Sequence, residues 1–356
     1  MNIDNILITG GCGFVGSSMA ISFRNKHPEA KIWCLDNLKR RGSELNIERL
    51  KEHDISFIHG DVRNSEDLES IHDIDIILEC SAEPSVLAGF SQNPEYIINT
   101  NLYGTINCLE LARKNKAAMI FLSTSRVYPY ETINSLNYEE TESRYELSDE
   151  QRVQGASNKG FTEKFPLDGP RSLYGATKLS SELIIQEYVE AFGLKAVINR
   201  CGVIAGPWQF GKVDQGFMAY WVANHHWKKG MSYIGYGGEG KQVRDILHID
   251  DLYNLIKIEI ENFDMLSGQI FNVGGGREVS VSLKELTDLC AEITGNRIDM
   301  DVINENRPAD IRIYLTDNSK INEKTGWEPE KQINDIVYDI YNWLNNNDTD
   351  LKRVLL

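Results

Sequence analysis

Asn5-Ile6-Leu7-Ile8-Thr9-Gly10-Gly11-Cys12-Gly13-Phe14-Val15-Gly16 runs from a short apolar strand pattern, through glycines spaced three apart at 10, 13 and 16, into a helical pattern. That order decides the fold class. A buried strand of a parallel sheet reads as a continuous apolar run, and glycines at the strand-to-helix turn let backbone approach a pyrophosphate at the helix N-terminus. Working outward, Phe14–Lys26 reads as a helix stopped by Pro28, and Lys31–Asp36 as a second strand. Ser56–Gly60, Ile74–Glu79 and Ala118–Ser123 read as further buried strands, with helices near Ser65–Ile71, Asn101–Asn115 and Tyr174–Phe192. Gly193 supplies the stop of the last of these, and Lys195–Arg200 forms another strand. Repeated βα units predict an α/β fold built on a doubly wound parallel sheet, Rossmann-type, with ligands at the carboxyl ends of the strands.

The pattern changes after Arg200, where glycine and aromatic residues become frequent, and a smaller mixed α/β substrate lobe is expected there. Gln269–Val273, helical Leu283–Ile293 and a terminal helix over Ile333–Asn345 follow. The expected division is a dinucleotide domain over 1–200, with 241–265 packing back on it, and a lobe over 201–240 and 266–356. The stretch between Tyr128 and Tyr174, rich in Glu, Ser and Gly, is an excursion from the sheet, and a loop of that length is usually functional or mobile.

Composition narrows the function classes. The 356 residues carry 41% hydrophobic and 25% charged side chains, ordinary for a globular enzyme with ample core. With 37 Lys and Arg against 53 Asp and Glu the net charge is −16, a field that repels phosphate backbones and argues against nucleic acid as partner. An anionic ligand needs a local basic pocket. The six cysteines are dispersed without metal-ligand spacing, and reduced core thiols are favoured over disulfides or a metal site. No run approaches membrane-spanning length and the chain enters a strand at once, so no membrane role and a cytoplasmic location are expected.

The chemistry rests on two sets of residues. Gly10, Gly13 and Gly16 offer the phosphate turn, and Asp36, twenty positions beyond Gly16 at the end of the second strand, suits the ribose hydroxyls. Its charge would repel a 2′-phosphate and favours NAD, although Lys39, Arg40 and Arg41 could neutralise such a phosphate. By analogy with other dinucleotide sites, Asp61-Val62, after the third strand, would suit the adenine edge. In the second set, Tyr174 and Lys178 lie one helical turn apart on one face. An ammonium beside a phenol favours phenolate; a fall of about three pKa units corresponds to roughly 4 kcal/mol. Thr124, closing the fifth strand, would add a hydroxyl in the same crevice. A tyrosine and lysine at this spacing are common on any helix; together with the glycine turn and a strand-end threonine they point to proton removal from an alcohol coupled to nicotinamide chemistry.

These motifs resemble, over nearly the whole chain, the extended short-chain dehydrogenase/reductases of the NAD-dependent sugar epimerase/dehydratase family. The glycine spacing is the form typical of that group. The general marks are Asp36-Asn37-Leu38, Asn101-Leu102-Tyr103-Gly104-Thr105, Tyr174 with Lys178, and Asn272-Val273-Gly274-Gly275. More specific marks are Glu163-Lys164-Phe165-Pro166-Leu167-Asp168-Gly169, Asp214-Gln215-Gly216 and Gly240-Lys241-Gln242-Val243-Arg244-Asp245. The resemblance implies a cofactor site that also takes in Phe14, Val15, Asn37 and Arg40 at the turn, and Ser81, Ala82, Asn101 and Ser123 nearer the nicotinamide. For the substrate it implies Glu83, Ser125 and Arg126 near the sugar, Gln209, Asp214 and Gln215 in the lobe, and Arg244, Arg307 and Asp310 on the diphosphate and ribose. Either arginine could instead be a surface ion pair. Trp221 is a further lobe candidate, while the cluster Trp208, Phe210, Phe217, Tyr220 and Trp221 reads more readily as core.

Two departures stand out. Glu79-Cys80-Ser81-Ala82-Glu83 replaces the family's usual His-Leu-Ala-Ala-Gln after the fourth strand, and Pro129 stands where a glycine usually follows Val-Tyr. Ser125 and Arg126 occupy the steps where family members that eliminate water or decarboxylate place acids. The implied activity is therefore epimerisation of a nucleotide diphosphate sugar, a CDP-sugar favoured, at C2, with UDP- or GDP-sugar 4-epimerisation as the alternative and a non-catalytic NAD/nucleotide-sugar-binding regulator as a remote one. A homodimer or homotetramer is implied by the same resemblance.

Overall fold

The computed structural model describes residues 3–90, 93–212 and 215–355. The chain divides into two units by its internal contacts. The first comprises 1–127, 173–200 and 252–270; the second comprises 128–172, 201–251 and 271–356. The excursion 128–172 and the stretch 241–251 therefore group with the second unit, and 266–270 with the first.

Seven parallel strands with flanking helices form the main sheet. They are β1 (Asn5–Thr9), β2 (Lys31–Asp36), β3 (Ser56–His59), β4 (Ile76–Glu79), β5 (Ala118–Thr124), β6 (Ala196–Cys201) and β7 (Ile270–Val273), in the order β7-β6-β5-β4-β1-β2-β3. The order reverses between β1 and β4, and both strands end at the glycine turn or beside it: the N–H of Cys80 donates to the carbonyl of Thr9 at 3.2 Å. β4, β5 and β6 are buried along their whole length: each begins as an apolar run and carries buried polar residues toward its carboxyl end, Glu79, Ser123 with Thr124, and Asn199 with Arg200.

Helix α1 (Phe14–Lys26) follows β1 with the bounds its pattern predicts. The region expected as helix from Asn101 is sharper in detail: a wide π-helical turn, Asn99–Tyr103, feeds an α-helix over Gly104–Asn115. A Cβ on Gly104 would meet Val62 Cγ2 at 2.7 Å, so the close approach of this helix to the loop after β3 depends on the glycine. The tyrosine helix spans Leu173–Phe192 and packs on β5, on the Gly104–Asn115 helix and on the turn Ser125–Val127. Ile249–Glu261, a helix the sequence patterns left unassigned, brings Tyr253 edge-on to Phe23 of α1 at 5.2 Å. It also carries the fully buried Glu259, which accepts a 2.9 Å hydrogen bond from Asn199 Nδ2 on β6; burial pushes its carboxyl up to about 8.

In the second unit the helices Phe217–His226, Leu283–Thr294 and Ile333–Asn346 pack on one another. A small sheet joins Val203–Ala205, Val243–His248, Ser280–Ser282 and Ile313–Tyr314. The excursion is built rather than loose. Tyr138–Glu140 pairs antiparallel with Tyr145–Leu147, and Ala156–Ser157 with Gly160–Phe161. Arg144 bridges Glu146 at 2.8 Å and Glu285 at 3.4 Å. No disulfide joins the six cysteines, five of which are buried. No helix among the described residues is long and apolar enough to cross a membrane.

Candidate active site

The glycine turn is shaped by contacts no side chain could survive. Gly10 takes φ +64°, and a Cβ there would lie 2.9 Å from the backbone of Cys80; one on Gly16 would lie 2.3 Å from the carbonyl oxygen of Gly10 and 2.8 Å from Gly11 Cα. Gly13 differs. Its Cβ would meet nothing closer than the Gly10 oxygen at 3.1 Å, which leaves one side of the turn open. Helix α1 begins there without a side-chain cap and without an acidic residue in its first turn, so its first N–H groups and the positive end of its dipole remain for an anion. Phe14 and Val15 open that first turn. The open side and the uncapped N-terminus fit a pyrophosphate, and the residues present therefore fit NAD. Asn46 braces the turn from beneath: fully buried, it donates to the carbonyl of Cys12 at 2.9 Å.

Asp36 closes β2 beside this turn. Its carboxylate accepts the N–H of Cys12 at 3.0 Å and that of Leu38 at 2.8 Å. Burial pushes its pKa up, and these bonds work against the rise. Asn37 donates to Asp61 at 2.9 Å. Arg63 grips the same carboxylate through Nε at 2.9 and 3.0 Å and a terminal nitrogen at 2.6 Å. Burial alone would push Asp61 up; the bonds from Arg63 and Asn37 bring it down to about 2. Arg63 and Lys39 both lie over the Tyr96 ring, 4.8 and 4.3 Å from its centroid. Val62 is buried beside Asp61, and Arg40 is half-buried in the loop after β2.

On the other side of the turn, Thr124 ends β5, buried, and its hydroxyl accepts the N–H of Arg126 at 3.1 Å. Ser125 and Arg126 form the half-buried turn against which the tyrosine helix packs. Tyr174, the second residue of that helix, is half-buried at its head. Lys178, one turn further, is 2% exposed; its ammonium lies 3.5 Å from Glu79 Oε2 and 4.1 Å from the centroid of the Phe121 ring. Another turn on, Glu182 is locked to Arg200 of β6 by bonds of 3.1, 3.1 and 2.7 Å and accepts the hydroxyl proton of Ser123. The helix is thus fastened to three strands through buried charge.

Asn101 ties the same helix to the loop after β4. It is fully buried, donates to the carbonyl of Glu83 at 3.1 Å and to Thr177 Oγ1 at 3.3 Å, and accepts the N–H of Glu83 at 2.8 Å. The Thr177 hydroxyl in turn donates to the carbonyl of Tyr174 at 2.9 Å. Asn101 therefore braces the tyrosine helix, and Ser81, buried, and Ala82, half-buried, lie in the loop it holds. The family marks flagged Asn101; its partners, 18 and 76 residues away, left no trace in local spacing.

In the second unit, Arg244 and Asp310 meet at 3.2 Å. Arg244 also donates to the carbonyls of Val243 at 2.8 Å and Ile311 at 2.7 Å, which fixes its guanidinium. Arg307 is half-buried in the segment before Asp310, whose N–H donates to the Arg307 carbonyl at 3.3 Å. Gln209 donates to Ile204 O at 2.8 Å, and the N–H of Gln215 donates to Lys212 O at 3.1 Å. Asp214 lies outside the described residues. Trp221 is buried, stacked on Tyr233, with its indole N–H on Thr287 at 2.9 Å, so it serves the core of this unit rather than facing a ligand. Trp208 and Phe210 likewise pack on Trp343.

Comparison with known proteins places these residues in a lineage. Residues 6–274 match the model of the NAD dependent epimerase/dehydratase family. The chain is 31% identical over 347 residues to a CDP-paratose 2-epimerase of Salmonella typhi, covering 95% of this chain and 98% of that one. It is 28% identical to a putative UDP-glucose 4-epimerase of Methanocaldococcus jannaschii, over 96% and 99% of the two chains. Among solved structures, a UDP-glucose 4-epimerase of Thermotoga maritima with UDP-glucose superposes with a TM-score of 0.76 at 25% identity, over 96% and 99% of the chains. A parallel seven-stranded sheet with an uncapped glycine turn, and a relative above 30% identity spanning both chains, lead to one conclusion: this chain belongs to the NAD-dependent epimerase/dehydratase family of nucleotide-sugar enzymes.

Proposed function

We propose that this chain is a cytoplasmic nucleotide-sugar epimerase that inverts C2 of a CDP-3,6-dideoxyhexose such as CDP-paratose. The observation that carries the reading is the similarity to the Salmonella typhi CDP-paratose 2-epimerase across nearly the full length of both chains. When bound, NAD supplies reversible hydride exchange with the sugar carbon. Tyr174, as phenolate, takes the proton of the sugar hydroxyl; Thr124 hydrogen-bonds the same oxygen; Lys178 supplies the charge that favours phenolate. Tyr174 then returns the proton after the keto sugar has turned over. Gly10, Gly13 and Gly16 with the head of α1 hold the cofactor's phosphates, Asp36 its ribose, and Asp61 its adenine. Arg244, Arg307 and Asp310 grip the nucleotide end, a task suited to a guanidinium fork.

No carboxylate stands at Ser125 or Arg126, which supports epimerisation over elimination. The second reading, 4-epimerisation of a UDP- or GDP-sugar, is favoured by the 28% identity to the putative archaeal 4-epimerase. Exposed Tyr103, Leu183 and Phe192 on neighbouring helices support a homodimer. The decisive experiment offers CDP-paratose and a set of UDP- and GDP-sugars and follows products by NMR in deuterated water. Inversion at C2 of the CDP-sugar without solvent deuterium at that carbon is expected, and Tyr174→Phe should slow it at least ~100-fold. Exclusive turnover of a UDP- or GDP-sugar at C4, or full turnover by Tyr174→Phe, overturns the corresponding part.

A further inference from the structure

A sealed ion pair lies between the tyrosine helix and the end of β4. Glu79 is fully buried and Lys178 nearly so, with 3.5 Å between Oε2 and Nζ. The ammonium rests over Phe121 of β5. The N–H of Ser81 and the thiol of Cys108 on the Gly104–Asn115 helix lie near the carboxylate, and that thiol in turn meets the hydroxyl of Thr9 at the end of β1. A carboxylate in such surroundings is costly unless a cation answers it.

The neighbouring titratable groups leave the balance to these two. Cys108 stays a neutral thiol, because burial first and the Glu79 charge second push its pKa well up. Glu182, one turn along from Lys178, is matched by Arg200. Tyr174 lies one turn back on the same helix face. Burial pushes the Glu79 carboxyl up and the lysine works against that rise.

We propose that Glu79 is a positioning residue for Lys178: it pins the ammonium over Phe121 and offsets part of its charge, so that a carboxylate on β4 tunes how readily Tyr174 gives and takes its proton. The proposal rests on the reading of Tyr174 as the base. With the counter-charge present, the phenolate is favoured less than by a lone ammonium, so Tyr174 loses its proton at higher pH than it otherwise would.

The test uses the holoenzyme and Glu79→Gln, which keeps the shape and removes the charge. The acid limb of the kcat profile should move to lower pH by about one unit, with KM for the nucleotide sugar unchanged within about twofold. A limb that stays in place or moves upward overturns the proposal. Thermal unfolding of the apoprotein supplies a readout independent of turnover. Lys178→Met, which strands the carboxylate, should lower the Tm, and adding Glu79→Gln should recover most of the loss. Strictly additive losses overturn the pairing. Recovery of Tm without turnover of any nucleotide sugar upholds the pair and sinks the epimerase reading; turnover with additive losses does the reverse.

Discussion

Glu259→Gln should make this protein more stable in alkaline solution and leave it nearly unchanged in mild acid. Glu259 is fully buried against Asn199, and burial raises its pKa from 4.5 to about 8. Between those values the native state holds a proton that the unfolded chain has released. Stability therefore falls as pH rises through that window, by about 1.4 kcal/mol per unit, and levels off above it. Summed over the window the loss is on the order of 5 kcal/mol, a large share of the net stability of a typical domain. Glutamine has no proton to lose, and its side-chain oxygen keeps an acceptor for the Asn199 amide. Urea unfolding of wild type and variant at unit steps from pH 5 to pH 9 isolates the effect, because every other titration is common to both. The difference should be within about 1 kcal/mol at pH 5 and grow steadily in favour of the variant. Parallel curves would refute the assignment of a protonated buried glutamate.

Two further substitutions probe the cofactor turn and the helix anchor. Gly16→Ala forces a methyl to 2.3 Å from the Gly10 oxygen; calorimetry should show NAD affinity reduced at least ~10-fold and unfolding eased by about 1–3 kcal/mol, and unchanged affinity would contradict the close packing. Arg200→Leu strands the buried carboxylate of Glu182 and should cost about 3–5 kcal/mol in urea unfolding, most of it regained on adding Glu182→Leu; a double variant as weak as the single would argue against a shared ion pair.

Most strands of the sheet were legible because a short apolar stretch, bounded by glycine, proline or charge, marks each of them. β1, β2 and α1 begin and end where those signals place them. The pieces within 128–172 were not, since strands of two or three residues such as Ala156–Ser157 carry no period to detect. The Ile249–Glu261 helix was also unassigned, although its contact with α1 had a counterpart in the expectation that 241–265 packs on the sheet domain. At the site, the glycine turn, Asp36 and the Tyr174/Lys178 pair follow from local spacing. What spacing hides is pairing across the chain. Glu79 was visible only as a departure from the family pattern, and its ion pair with Lys178, 99 positions on, exists only once the chain has folded. Arg200 escaped notice for the same reason: its partner Glu182 lies on a different element.

The two units are interleaved along the chain, with boundaries after 127, 172, 200, 251 and 270. A ribosome therefore releases β6 before the helix that covers Asn199, and β7 only when about three quarters of the polypeptide has emerged. Until then the edge of β6 is bare and its buried face lacks the partner that Ile249–Glu261 provides. Neither unit can be excised as one uninterrupted fragment, so a shortened product ending near residue 200 would carry an open sheet edge and a strong tendency to clump.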